Sequence, residues 1–474
     1  MDWILFVPEL VLIAGSLVAF AVCLGDGRSR LAARVAALTA LLFLAACAAS
    51  LGVEGDMFFS AYRVDLYSQL FKLFIALGLA AVVLFGGNLK DIRADARPEY
   101  FFFLLLGSLG LTMLVSSVEM ITLFVALELS SYSLYLLVPL RQEQPGLRVQ
   151  MESAAKYVMF GVAATGIMLF GMSYLYGITG TTKFSAMAPI LLLRWGEPAA
   201  VVGMVLVLMG LLFKLAAFPM HLWAPDVYQG AANETTAFIA AVPKAGAVAV
   251  IIRFLTCADP SSQVMAMVLT IVSIGSMFFG NLAALVQKDA KRMLGFSSIA
   301  HAGYVMLGLV TLKGSGYSAA VFYILGFVAM SLAAFVVICQ MSRRGENVLI
   351  EDLSGLHSRA PLAAVIMAAS MFGLAGIPPF VGFIGKFLLF NEALKEGFIV
   401  LVVLAAVNTA VGIYYYLNVV RVMYFSDPGD RQAVSLDGGA AVAGIVLLVA
   451  VVMLGVTPSF LLDGIITAIR SGNW

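Results

Sequence analysis

Five lysines, Lys72, Lys156, Lys214, Lys244 and Lys386, lie in stretches otherwise apolar enough to cross a bilayer. An ionisable side chain at mid-membrane costs a few kcal/mol, so it is tolerated where it faces a protein partner or a water-filled cavity. Several such groups in one chain point to a path for ions or protons. Lys214 and Lys386 also stand close to prolines, which remove a backbone donor and interrupt a helix. Glu128, in FVALELSSYSLYLL, is a carboxylate with apolar residues on both sides. Two roles are open to it: a bond to Ser130 or Tyr132 that pins helix packing, or proton exchange with a cationic partner.

A Glu–Lys pair about 6 Å apart, at an effective dielectric near 20, interacts by roughly 3 kcal/mol. Changing that separation by a few ångströms would load or release a proton, and Glu128 with Lys214 is the pair suited to it. The competing role is a static salt bridge. Lys244 follows Pro243 and is too far from either helix end to reach water easily. Lys156, in ESAAKYVMF, is only a turn inside its span, so snorkelling toward water competes with a transport role. Lys386, in FIGKFLLF, belongs to an interrupted helix. His301, in SSIAHAGY, is either a relay between its two ring nitrogens or a packing residue. Glu119 is placed to start a helix as readily as to join a relay. Lys72 and Glu9 are expected to be structural, and His221 and Asp226 to border a water entrance.

The elements that must position these groups follow from composition. With 62% hydrophobic and 12% charged residues and a mean hydropathy of +1.02, the 474-residue chain is far more apolar than a soluble domain. It is expected to be an all-α polytopic membrane protein with about fourteen spans. The first span carries Pro8 and Glu9 after Met-Asp-Trp rather than a basic region, and is expected to be a retained helix. Two spans are broken. Pro219 and Pro225 interrupt the seventh, near 198–223, and Pro378–Pro379 the twelfth, near 360–395.

Interrupted spans at matching positions of two halves indicate inverted repeats. Spans 4–8 and 9–13 would be the two units, each with an odd number of helices, so that the second is inverted. The separation from Lys214 to Lys386 is 172 residues and from Glu128 to His301 it is 173. The expected division is a three-helix segment over 1–98, a first repeat over 99–256, an inverted repeat over 257–424 and a C-terminal helix over 425–474.

Of 28 lysines and arginines, sixteen fall in loops after odd-numbered spans, among them Arg28, Arg141, Arg148, Lys291, Arg343 and Arg344, against seven on the other side. That bias places the odd loops in the cytoplasm and both termini outside. The four cysteines are dispersed and show no metal-ligand spacing. Three histidines are too few for two bis-histidine haems. No phosphate-binding GxxxxGK[ST] or GxGxxG loop is present, so the energy for transport must come from a partner or an ion gradient.

Glu128 in span five, Lys214 in broken span seven, Lys244 in span eight and Lys386 in broken span twelve together resemble the antiporter-like subunits of respiratory complex I. FPMHLWAPDVYQGA is similar to the seventh-span motif of that family. Within the family the chain is most similar to the N type, equivalent to mitochondrial subunit 2. Its eighth span reads TAFIAAVPKAG without a histidine, its twelfth carries Lys386 rather than a glutamate, and it ends soon after span fourteen without a long lateral helix.

The resemblance implies a proton-translocating subunit of a bacterial inner-membrane NADH-quinone oxidoreductase that holds no cofactor itself. NADH, flavin, iron–sulfur clusters and quinone would belong to partner subunits. Its neighbours would be another antiporter-like subunit, the small membrane subunits and the lipid bilayer, with no nucleic acid. It also implies that Glu128 and Lys214 are the coupling pair and that Lys156 modulates it. Lys244 would connect laterally, His301 would occupy a relay position, and Lys386 would pass the proton toward the periplasm. A cation/proton antiporter subunit shares the fold, but few buried acids accompany Glu128 and Glu119, a poor cage for a hard cation. A non-pumping scaffold is the third possibility, and predicts that replacing the lysines alters assembly alone.

Overall fold

The structure is a computed structural model describing residues 3–25, 29–86, 89–142, 149–342 and 345–472. Arg28, Arg148, Arg343 and Arg344 of the loop-charge count lie outside the described residues. The chain is almost entirely helical. The first helices are α1 (Val7–Cys23), α2 (Ser29–Ala49) and α3 (Leu66–Phe85), with a hairpin of β1 (Gly55–Met57) and β2 (Tyr62–Val64) between the last two. The hairpin was not legible in the sequence; it packs Met57, Tyr62 and Val64 against Leu5 and Phe6 in a small core of its own. Next come α4 (Arg97–Ser116), α5 (Met120–Leu137), α6 (Val149–Thr179), α7 (Phe184–Leu193), α8 (Pro198–Leu215), α9 (Ala224–Gly230) and α10 (Asn233–Leu255). After these follow α11 (Gln263–Ala284), α12 (Ala290–Leu309), α13 (Gly314–Met341), α14 (Leu356–Arg359), α15 (Pro361–Ala375), α16 (Val381–Lys395) and α17 (Ile399–Phe425). Helices α18 (Gly438–Val456) and α19 (Ser459–Ser471) end the chain.

Among the described residues, twelve helices are long and apolar enough to cross a membrane. The expected count of about fourteen is not reached by that measure. One expected span is α12, whose first turn holds Lys291 and Arg292, and the span expected over 360–395 is two shorter helices, α15 and α16. Pro8 does not break α1, because it sits in the first turn, where its missing N–H has no helical partner to lose.

The two runs α4–α10 and α11–α17 repeat one another in detail. Glu119 caps α5 by accepting from the Thr122 N–H at 2.7 Å, and Asp289 caps α12 by accepting from the Arg292 N–H at 2.9 Å. Beside each cap, a reciprocal pair of backbone hydrogen bonds ties the helix start to the strand-like segment after the third helix of the run. Met120 N–H donates to Thr182 and Phe184 N–H to Val118, while Ala290 N–H donates to Val348 and Ile350 N–H to Lys288. Gly110 of α4 lets the α5 backbone approach so closely that an added Cβ would lie 2.4 Å from Ser130 N; at Gly280 of α11 it would lie 2.5 Å from Ala300 N. The caps, the two glycines and the helix-start members of these bonds are offset by 170 residues, while the segments they pair with, Thr182 and Phe184 against Val348 and Ile350, are offset by 166.

The breaks match with a different offset. Helix α8 ends on Ala216 in the left-handed region (φ 61°), and α15 ends on Gly376 (φ 84°). Each end makes the same two turn-closing bonds, Ala217 N–H to Leu212 and Ala216 N–H to Phe213, Ile377 N–H to Phe372 and Gly376 N–H to Gly373. Here the offset is 160. The separations of 172 and 173 therefore do not mark equivalent residues. Structurally, Leu374 stands where Lys214 does and Ser298 where Glu128 does.

Helices α10, α12 and α13 form the middle of the molecule, with nearly every residue buried. Helices α2, α6, α11, α17 and α18 lie outside, each presenting most of its apolar surface outward.

Candidate functional site

Four of the five lysines are buried, with Lys72, Lys244, Lys214 and Lys386 exposed by 0%, 1%, 3% and 6%. Three of them form a row between the two breaks. Lys214, in the last turn of α8, donates to Ser130 Oγ at 2.9 Å and Ser131 Oγ at 3.1 Å on α5. Glu128, on the same helix and buried, accepts from Thr165 Oγ1 of α6 at 2.7 Å. The expected coupling pair is therefore not a direct ion pair. Ser130 and Ser131, two and three residues beyond Glu128 on α5, take the ammonium, while the carboxylate is held by Thr165 of α6. Tyr132 also reaches Glu128.

Lys244, on α10, donates to the Leu215 carbonyl at 3.1 Å and to Ser298 Oγ of α12 at 3.0 Å. Leu215 O is one of the acceptors freed where α8 stops, since a helix end leaves its last carbonyls without intrahelical donors. Lys386 does the same work in the second run: its ammonium, from α16, donates to Leu374 O at 3.0 Å and Ala375 O at 3.1 Å at the end of α15. Leu215 and Ala375 are equivalent by the 160 offset. Each break thus has its orphaned carbonyls met by a buried lysine, from α10 in one run and from α16 in the other. No carboxylate pairs with Lys214, Lys244 or Lys386 among the described residues.

His301 lies between Lys244 and Lys386. Its Nδ1 is 2.6 Å from Tyr323 Oη and its Nε2 is 3.0 Å from Tyr416 Oη, and Tyr416 Oη is hydrogen-bonded in turn to Ser297 Oγ. A neutral imidazole donates from one nitrogen and accepts at the other, so both nitrogens are engaged in a chain through which a proton can be handed. Phe327 separates Lys244 from the histidine, with its ring 5.9 Å from the Lys244 ammonium and 4.9 Å from the imidazole. On the far side, the Lys386 ammonium lies 4.7 Å over the Tyr304 ring.

The remaining expectations resolve differently. Lys156 is not buried: its side chain is 38% exposed and pairs with Glu152 and Asp226, both at 2.7 Å. It sits near the rim, as the snorkelling alternative requires. Asp226 also pairs with Arg292 at 2.6 Å, so α6, α9 and α12 are joined there by a partly exposed charge cluster. His221 is buried between Phe218 and Phe279 and is not open to solvent. Glu119 is accounted for by its helix cap. Lys72 and Glu9 form a wholly buried ion pair at 2.9 Å, with Tyr62 donating to Glu9 at 2.7 Å.

Several partners escaped sequence reasoning. Ser131, Ser298, Tyr323 and Tyr416 are ordinary residues of apolar spans and carried no signal alone, and Ser130, weighed as a partner of Glu128, instead accepts from Lys214. Lys291, read as a loop charge, is fully buried and donates to Ala231 O at 2.8 Å. Arg253, counted in an opposite-side loop, is buried and bonds Asp65 at 2.8 Å.

Comparison with known proteins places this arrangement. Residues 117–412 match the family described as NADH:quinone oxidoreductase/Mrp antiporter, TM. A protein of Opitutus terrae named NADH-quinone oxidoreductase subunit N 2 is 49% identical over 99% of this chain and 98% of its own length. Its namesake from Syntrophobacter fumaroxidans is 41% identical over 97% of each chain. Among solved structures, a chain of respiratory complex I from Thermus thermophilus with bound aureothin superposes with a TM-score of 0.83 at 32% identity, covering 96% of this chain and 98% of that one. A chain of the Mrp complex from Dietzia sp. DQ12-45-1b shares the fold, with a TM-score of 0.88 at 22% identity over 99% of this chain and 97% of that one. The chain belongs to the NADH:quinone oxidoreductase/Mrp antiporter family of membrane proteins, in the branch of subunit N of NADH-quinone oxidoreductase.

Proposed function

We propose that this chain moves protons across the bacterial inner membrane within a NADH-quinone oxidoreductase, as a subunit that does no redox chemistry itself. The observation that carries the reading is the row of buried lysines, each held by hydroxyl or carbonyl oxygens rather than by a carboxylate. A neutral amine can still use such oxygens as acceptors, whereas a lysine locked to a carboxylate is held in its charged form. Each lysine is thus poised to give up a proton without losing its place.

In this reading Glu128 acts on Lys214 through space, Lys244 passes the proton inward, His301 relays it through Tyr323 and Tyr416, and Lys386 releases it. Lys156 tunes the entrance from the rim through Asp226. Moving one proton against about 180 mV costs roughly 4 kcal/mol, on the scale of one ion pair made or broken. NADH, flavin, iron–sulfur clusters and quinone stay in partner subunits, with another antiporter-like subunit and the small membrane subunits as neighbours. Residues 1–98 form an N-terminal segment, 99–256 and 257–424 the two inverted repeats, and 425–474 a C-terminal helix, with both termini periplasmic.

The test is Lys214→Ala in membranes where assembly is verified, with proton pumping and quinone reduction measured together. Loss of pumping with slowed electron transfer is expected. Normal pumping and turnover would remove Lys214 from the path and with it the proposed function.

A further inference from the structure

A second group of buried charges lies apart from the lysine row, at the end of the fold shared by the odd-numbered loops. Asp91 follows α3, Arg141 follows α5, and Glu234 and Lys291 stand in the first turns of α10 and α12; their exposures are 3%, 8%, 5% and 0%. The two cations mainly hold backbone. Lys291 donates to Ala231 O at 2.8 Å, and Arg141 donates to Gln229 O at 3.0 Å and Gly345 O at 2.7 Å. Arg141 Nε lies 3.7 Å from Asp91 Oδ2, which also accepts the Asn233 N–H at 3.0 Å.

The Glu234 carboxyl lies within hydrogen-bonding reach of Asp91. Among the described residues, Asp91 Oδ1 and Glu234 Oε2 are buried without any donor, and so is Asn233 Oδ1 beside them. Two carboxylates in contact repel strongly in a dry interior, and an unpartnered buried oxygen is costly. One proton between the carboxyls relieves both, because it removes a charge and turns an acceptor into a donor. Asp289, Glu346 and Lys90 act on the site only at longer range, and Tyr100 and Cys339 are neutral neighbours. A bound metal ion fits poorly, since Arg141 and Lys291 already bring two positive charges.

We propose that Asp91 and Glu234 hold one exchangeable proton between them and form an uptake site for the protons this chain translocates. The uptake role rests on the function proposed above; the holding of the proton does not. Glu234 opens the helix that carries Lys244, ten residues and so about 15 Å further on. The site also lies on the side that loop charge assigns to the cytoplasm. The step makes and breaks only O–H bonds: a proton from water joins the carboxyl pair and leaves to water or a hydroxyl, with no electron transferred.

The experiment is infrared difference spectroscopy between two pH values on the intact purified complex, wild type against Glu234→Gln and Asp91→Asn. It needs no turnover, so it stays informative if Lys214→Ala overturns the pumping function. One protonated-carboxyl C=O band, shifted by D2O, is expected in the wild type and lost in both variants, with fewer protons pumped per electron. A band that persists in both variants overturns the shared proton. Loss of the band with unchanged pumping per electron overturns the uptake role. Should either variant fail to assemble, Glu234→Asp and Asp91→Glu keep the carboxyls and must move the band; a band unmoved by both overturns the site.

Discussion

At the scale of single residues, the charges were legible because each stands alone in an apolar run, where its cost demands a reason. Their partners were not, because serines, tyrosines and helix-end carbonyls are ordinary in membrane spans. Lys214 shows the difference: its charge was evident, but its hold on Ser130 and Ser131 rather than on Glu128 depends on how α5 is rotated against α8. Hydrogen bonds to a charged group are worth about 1.5–3 kcal/mol each. Replacing Ser130 and Ser131 together by alanine is therefore expected to abolish pumping, while either single alanine leaves part of it, as measured by acidification per NADH oxidised. Equal pumping by the double variant and the wild type would show that the hydroxyls do not serve Lys214. Lys72 and Glu9 make the contrasting case of a buried pair with no place in the lysine row. Removing one partner should destabilise the protein by about 3–5 kcal/mol, whereas replacing both with apolar residues of similar size should be near neutral. Thermal unfolding of the purified complex checks this, and pumping per electron should be normal in the double variant.

At the scale of helices, the breaks were readable from their prolines and the two-run organisation from their positions. The register was not, because two nearly equal separations between ionisable residues suggested an equivalence that the caps and breaks do not share. Helix starts correspond at 170 residues and breaks at 160, so each run places its ionisable groups differently along similar helices. What aligned residues could have revealed is the close approach at Gly110 and Gly280, which holds the Ser130–Ser131 and Ala300–His301 backbones against α4 and α11. Gly110→Ala and Gly280→Ala each force a Cβ to within 2.4 or 2.5 Å of a backbone nitrogen. Each is expected to cost about 1–3 kcal/mol by overpacking. Gly110→Ala should weaken the Lys214 contacts and Gly280→Ala should displace His301, so both should lower pumping per electron as well as unfolding temperature. Wild-type behaviour in both measurements would mean that the helices slide apart without consequence for the path.

For the whole molecule, composition alone gave a polytopic helical membrane protein, and the helix-by-helix count remained the weak point. Polar residues at the start of α12 and the division of one span into α15 and α16 hide two expected crossings from any measure of length and apolarity. Loop charge also misplaced Lys291 and Arg253, since nearness to a span end says nothing about which neighbour covers a side chain. The assembled fold encloses a row of lysines whose oxygens come from two helix breaks and two serine-bearing helices. This raises a question that single deletions cannot answer: whether the lysines carry protons or merely cap broken helices. Arginine separates the two roles, because it donates to the same carbonyls but does not release its proton in proteins. The decisive measurement is protons pumped per electron in fully assembled complex carrying Lys244→Arg or Lys386→Arg. Assembly with pumping lost is the result expected of proton carriers. Normal pumping by both arginine variants would show that these lysines are caps, and that the protons travel elsewhere.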